Sequence, residues 1–175
     1  MFLKPALTCV LAALLAVPCF AQPVRSLLEM RQEGVVMQQW DTSCGAAALA
    51  TVLTHAFADP VSEKAAAQGM LRRTDPLRVR VRGGFSLLDM KRFAESRGYD
   101  AEGYRNLELD ALLRMRAPIV PIDERGYAHF VVVRGRRDGG IELADPAFGN
   151  RVMAEERFRR AWKDGIGFAL SRRKE

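Results

Sequence analysis

The sequence predicts an α+β domain, with N-terminal helices packed on a C-terminal antiparallel sheet. Three observations carry that expectation. An alanine-rich, helix-favouring run starts at Cys44 and continues to Leu53. The β-rich segments come late in the chain. Two of them, His129–Arg134 and Ile141–Leu143, flank a turn at Arg136-Arg137-Asp138-Gly139-Gly140, as the arms of a hairpin do.

The chain has 175 residues and opens as a secretory signal peptide does. Lys4 precedes an apolar run from Ala6 to Val17, and Pro18-Cys19-Phe20-Ala21 follows, with cleavage expected after Ala21. The run suits an h-region and is short for a membrane span, so a retained anchor is the lesser alternative. Removing residues 1–21 takes away one charge, Lys4. It leaves 154 residues, 22–175, as one domain with its core over 35–149.

Lys plus Arg number 27 against 21 Asp plus Glu, a formal charge of +6, and the mature segment keeps about +5. Arginines cluster at Arg72-Arg73 through Arg78, Arg80 and Arg82, and again from Arg157 to Lys163. The export signal argues against a nucleic-acid partner. The basic excess reads as solvated surface, with an acidic partner or an anionic membrane surface as the weaker alternative.

Of three cysteines, Cys9 and Cys19 leave with the signal. Cys44 is then the one thiol, and no internal disulfide can form. A lone cysteine is often a small buried hydrophobe. Its neighbours argue otherwise. Asp41, Thr42 or Ser43 can cap a helix that begins at Cys44, and a thiolate in a first turn is stabilised by unpaired N–H groups and the helix dipole. Gly45 permits close approach of a substrate to the backbone, and Ala46 to Ala48 permit tight packing.

A thiolate nucleophile needs a base, and the base needs an orienting group. There are two histidines. His55 lies eleven residues along the same helix, roughly 16 Å away at about 1.5 Å per residue, and reads as a C-terminal or packing histidine. His129 starts the first hairpin strand, and Asp145 ends the second, sixteen residues on. Such a hairpin brings the two together. Alone, His129 reads as a strand histidine and Asp145 as a turn residue before Pro146. Paired across one hairpin, they read as an oriented base.

The other elements follow in order. Helices are expected over Leu87–Arg97 and Leu109–Met115, and strands over Pro118–Ile122 and Gly167–Ser171. The segment Arg72–Gly84, rich in Arg and Gly with Pro76, is expected as a mobile loop bordering the substrate cleft.

These motifs resemble the bacteriocin-processing peptidases, papain-like domains that cut double-glycine leader peptides. The resemblance runs through Gln38, Asp41-Thr42-Ser43-Cys44-Gly45-Ala46, His129-Phe130-Val131-Val132 and Asp145-Pro146. It extends to Gly84-Phe85-Ser86-Leu87-Leu88-Asp89-Met90, where Ser86 caps the second family helix, and to the stretch Leu109–Pro121 before the histidine strand. It implies a papain-like cysteine peptidase fold with the active site in the cleft between helix and sheet.

It also implies roles. Cys44 attacks the scissile carbonyl. His129 takes and returns the proton, and Asp145 orients it. The Gln38 amide and the Cys44 backbone N–H hold the oxyanion, with Gln39 the second choice for the side-chain donor. No metal or organic cofactor is implied, and two histidines without a ligand cluster also argue against zinc.

An export signal, and no ATP-binding cassette within the 175 residues, set the chain apart from the exporter-fused members, which face the cytosol. It is similar to small, stand-alone, exported members beside outer-membrane systems, functional-amyloid export among them. The expected function is a periplasmic endopeptidase with a peptide or protein substrate and export-system components as partners. A catalytically silent peptide-binding module is the alternative, and acyl transfer a minor third.

Overall fold

The computed structural model describes residues 24–173, so the expected signal peptide lies outside the described residues. Seven helices and six strands are described. They are α1 (Leu27–Gln32), α2 (Cys44–Thr51), α3 (Glu63–Leu71), α4 (Pro76–Arg82), α5 (Leu87–Glu95), β1 (Tyr99–Tyr104), α6 (Leu109–Leu113), β2 (Ile119–Glu124), β3 (Tyr127–Arg137), β4 (Gly140–Asp145), β5 (Gly149–Ala154), α7 (Glu155–Ala161) and β6 (Gly167–Arg172).

The α2 helix is apolar on every side. Residues Ala46 to Ala50 are wholly buried, which marks a helix enclosed in a core rather than lying on one. Their small side chains let neighbours come close. Gly45 goes further: a Cβ there would stand 2.9 Å from Met90 Cε and 3.5 Å from both Phe130 and Phe85. The close approach at Gly45 is therefore made by core side chains, where the sequence suggested a substrate. The α2 helix ends in a π-helical turn, Val52–Ala56, which carries His55.

The sheet is wholly antiparallel, in the order β1-β6-β2-β3-β4-β5. The β2 to β6 ladder pairs a single position, Ile119 with Phe168. Pro121, which has no N–H to give, lies beyond that point. Alternation along β3 divides two cores. Val132 packs with Leu49, Met90, Phe93 and Phe168 under α2, α3 and α5. Val131 and Val133 pack with Leu112, Ile141, Leu143 and Phe158 under α6 and α7. The sheet is thus covered by helices on both faces.

The expected elements are present with shifted ends, and several were not anticipated. The segment expected as a mobile loop, Arg72–Gly84, instead contains α4. Asp75 caps it through its side chain, Pro76 stands in its first turn, and Gly83 closes it at φ 79°. The α1 helix is set by a Ser26–Glu29 capping box. Beyond residue 149, β5, α7 and β6 complete the domain, with β6 inserted between β1 and β2.

Candidate active site

Cys44 is the first residue of α2, as the sequence led us to expect. Ser43 takes the N-cap position, but its hydroxyl does not cap the helix. It bonds instead to the Trp40 carbonyl (2.7 Å) and to the buried carboxyl of Glu63. Glu63 also accepts the Gln39 N–H at 2.9 Å. A side chain from α3 thus fixes the turn that leads into Cys44.

Across a cleft of about 300 Å³ stands His129, on β3. Gly84, Phe85, Pro121 and Lys163 complete the walls, so the rim after α4 does border the cleft. His129 is 4% exposed and Asp145 wholly buried. His129 Nε2 lies 3.0 Å from Asp145 Oδ2, sixteen residues along the chain, so the hairpin brings base and carboxylate together. Asp145 accepts from Nε2–H, which leaves the lone pair on Nδ1, and buried Nδ1 has no hydrogen-bond partner among the described residues. This tautomer assignment follows from the network.

Asp145 is held from three more directions. Its Oδ1 accepts the N–H groups of Ala147 (2.9 Å) and Phe148 (3.3 Å), and Oδ2 accepts Arg151 Nε at 2.9 Å. Burial alone would push this carboxyl up. The bonds from His129 and Ala147 and the charge of Arg151 hold it below the usual range. Cys44 moves the other way. Burial pushes the thiol above its ordinary value, against the pull of the Phe130 and Gly45 N–H groups. The helix start therefore does not by itself hold the thiol below its ordinary value.

Gln38 is half-buried, and Gln39 is exposed. The Gln38 backbone N–H donates to Pro146 O at 2.8 Å, and its side-chain Nε2 donates to Trp40 O at 3.2 Å. The Gln38 amide also lies against the Tyr127 hydroxyl, while its buried Oε1 has no hydrogen-bond partner among the described residues. Tyr127 stacks on His129, with ring centroids 4.6 Å apart, and Phe148 stands edge-on to His129 at 6.2 Å. His55 is remote from this cleft, beside Gly34 and Arg134. Among the described residues, no cluster of three or more His, Cys, Asp or Glu is placed to hold a metal ion.

Glu63, Tyr127, Phe148 and Arg151 were not found from the sequence. A long step along the chain separates Glu63 from Ser43, and Arg151 reads as one more arginine in a basic chain.

The sequence profile of the peptidase C39 family matches residues 32–175. The chain is 45% identical over 148 residues to the probable functional amyloid protease FapD of Pseudomonas aeruginosa, and 43% identical to that of Pseudomonas fluorescens. Each match covers 84% of this chain and 64% of the relative, so the chain spans under two thirds of those proteins.

Among solved structures, one similar chain is a double-glycine motif protease from an AMS/PCAT transporter, determined with the leader peptide. It is 29% identical, with a TM-score of 0.57 over 78% of this chain and 89% of that one. The peptidase domain of Streptococcus ComA shares the fold, with a TM-score of 0.64 at 23% identity over 79% and 98%.

Proposed function

The chain belongs to the peptidase C39 family, and on that premise we propose that it is an exported cysteine endopeptidase serving a functional-amyloid export system. The observation that carries the chemistry is the buried His129–Asp145 pair facing the same cleft as Cys44. The likeness to the FapD proteases supports the amyloid setting. A signal-like N-terminal segment supports work outside the cytosol, in the periplasm.

The proposed steps run in the order that the Cys44, His129 and Asp145 arrangement supports. His129 Nδ1 takes the Cys44 proton as the sulfur attacks the scissile carbonyl carbon. The Gln38 side-chain amide and the Cys44 backbone N–H receive the oxyanion. The carbon–nitrogen bond then breaks, and His129 gives its proton to the leaving amine. Water, deprotonated by His129, attacks the thioester and releases the acid and the thiol. Asp145 stays ionised throughout and holds the ring.

The test compares the N-termini of exported proteins in cells carrying the wild-type gene or Cys44→Ala. Wild-type cells are expected to show cut termini, and the variant an uncut precursor. An identical set of termini in both strains would favour the silent peptide-binding module.

A further inference from the structure

We propose that Arg151 is a positioning residue that sets the pH range of the His129 base by sharing the Asp145 carboxylate. The proposal rests on the peptidase reading for its catalytic meaning, though not for its test.

Three facts carry it. Arg151 lies on β5, two strands from His129, yet both donate to the same oxygen, Asp145 Oδ2: His129 Nε2 at 3.0 Å and Arg151 Nε at 2.9 Å, with Arg151 Nη2 2.8 Å away in the ion pair. The guanidinium is itself held, because Nη2 also reaches Glu124 Oε2 at 2.6 Å, and Glu124 pairs in turn with Arg157 of α7. The Phe148 ring covers it, 5.5 Å from the guanidinium carbon. An ordinary surface arginine has none of these restraints, and its charge would be screened away.

The consequence is electrostatic. An unshared carboxylate beside an imidazole favours the imidazolium, which cannot accept a proton. A cation on the same oxygen weakens that preference while keeping the carboxylate ionised. It also fixes the oxygen to which the ring is tied. The charged and titratable groups around the ring are Asp145 of β4, Tyr127 of β3 and Cys44 of α2, with Arg82 of α4 and Lys163 on the rim of the same cleft, each paired with an aspartate, Asp89 and Asp123. Behind Asp145 stand Arg151 of β5 and Glu124 of β2. Arg151 is the cation of that group in direct contact with Asp145.

The test uses NMR. The chain has only two histidines, so the His129 imidazole signal is identified by its survival in His55→Gln. Titration is followed in a Cys44→Ala background, which removes coupling to the thiol. Replacing Arg151 by Gln is expected to raise the imidazole midpoint by about one pH unit, a tenfold change in proton affinity. Arg151→Lys, which keeps the charge, is expected to stay near the parent. Glu124→Gln, which leaves the arginine in place and removes an anion, is expected to lower it, and covers the case in which Arg151→Gln does not fold.

An unchanged midpoint in Arg151→Gln, with only a lower melting temperature, overturns the proposal and leaves Arg151 a structural clamp. An unchanged midpoint in Glu124→Gln also counts against it. Neither result depends on turnover. In enzyme with Cys44 intact, the acid limb of kcat/KM should move to higher pH in Arg151→Gln.

Discussion

The Gln38 backbone N–H donates to the Pro146 carbonyl over 2.8 Å, joining the strand end that holds Asp145 to the turn that leads into Cys44. One bond thus ties Gln38 to the chain end of the Asp145 strand. The Gln38 side chain is fixed at its other end by Trp40 O.

Replacing Gln38 by Ala should therefore cut kcat by about 10²–10³ and leave KM little changed, the cost of losing one oxyanion donor. Gln39→Ala should behave as wild type, because Gln39 is exposed and contributes only its backbone to Glu63. Steady-state kinetics on any substrate that the enzyme cuts separates the two.

Asp145→Asn keeps the shape of the side chain and loses its charge. His129 would lose its tautomer anchor, and kcat should fall by about 10²–10⁴. Stability should change too. The Asp145 carboxyl sits below its usual range in the folded state, so its contribution is complete above its unfolded value near 4 and is lost as pH falls through the folded value. Urea unfolding at pH 7 and pH 3 should show a steeper acid loss for wild type than for Asp145→Asn.

Cys44 predicts the opposite arm. Burial raises the thiol in the folded state, so its stabilisation is complete below the unfolded value near 8.5 and fades as pH rises through the folded one. Between pH 7 and pH 10, wild type should lose more stability than Cys44→Ala. Parallel curves would show that the thiol is not held protonated by burial.

Gly69 reports on the packing behind the site. A Cβ there would stand 2.1 Å from Phe93 Cε2, where α3 crosses α5. Gly69→Ala should destabilise by about 1–3 kcal/mol, as overpacked cores do. Because α3 also carries Glu63, the loss should extend to activity. Thermal unfolding and turnover, measured on the same sample, check both.

The sequence was most informative where chemistry and local geometry coincide. Cys44 opens a helix because polar residues stop at Ser43 and alanines begin, and that boundary is readable. His129 and Asp145 meet because a hairpin brings its strand ends together, which spacing alone conveys. Arg151 and Glu63 were invisible for other reasons. Glu63 reaches Ser43 from a helix twenty residues on, and Arg151, though only six residues past Asp145, carries nothing local that distinguishes a clamp from a solvated charge.

The misjudged α4 segment had its signals in view. Asp75-Pro76 at one end and Gly83 at the other are cap residues, but the dense arginines between them suggested a loop. Gly45 was misassigned because a glycine beside a nucleophile looks like room for substrate. Its space is taken by Met90.

The central claim is that Cys44 is a nucleophile made reactive by His129. Intact-mass spectrometry of the purified protein with a peptidyl vinyl sulfone tests it directly. The account predicts one adduct, located on Cys44, forming at least about 10²-fold more slowly in His129→Ala, as expected for loss of a general base. Equal labelling rates in wild type and His129→Ala, or no adduct on Cys44, would contradict it.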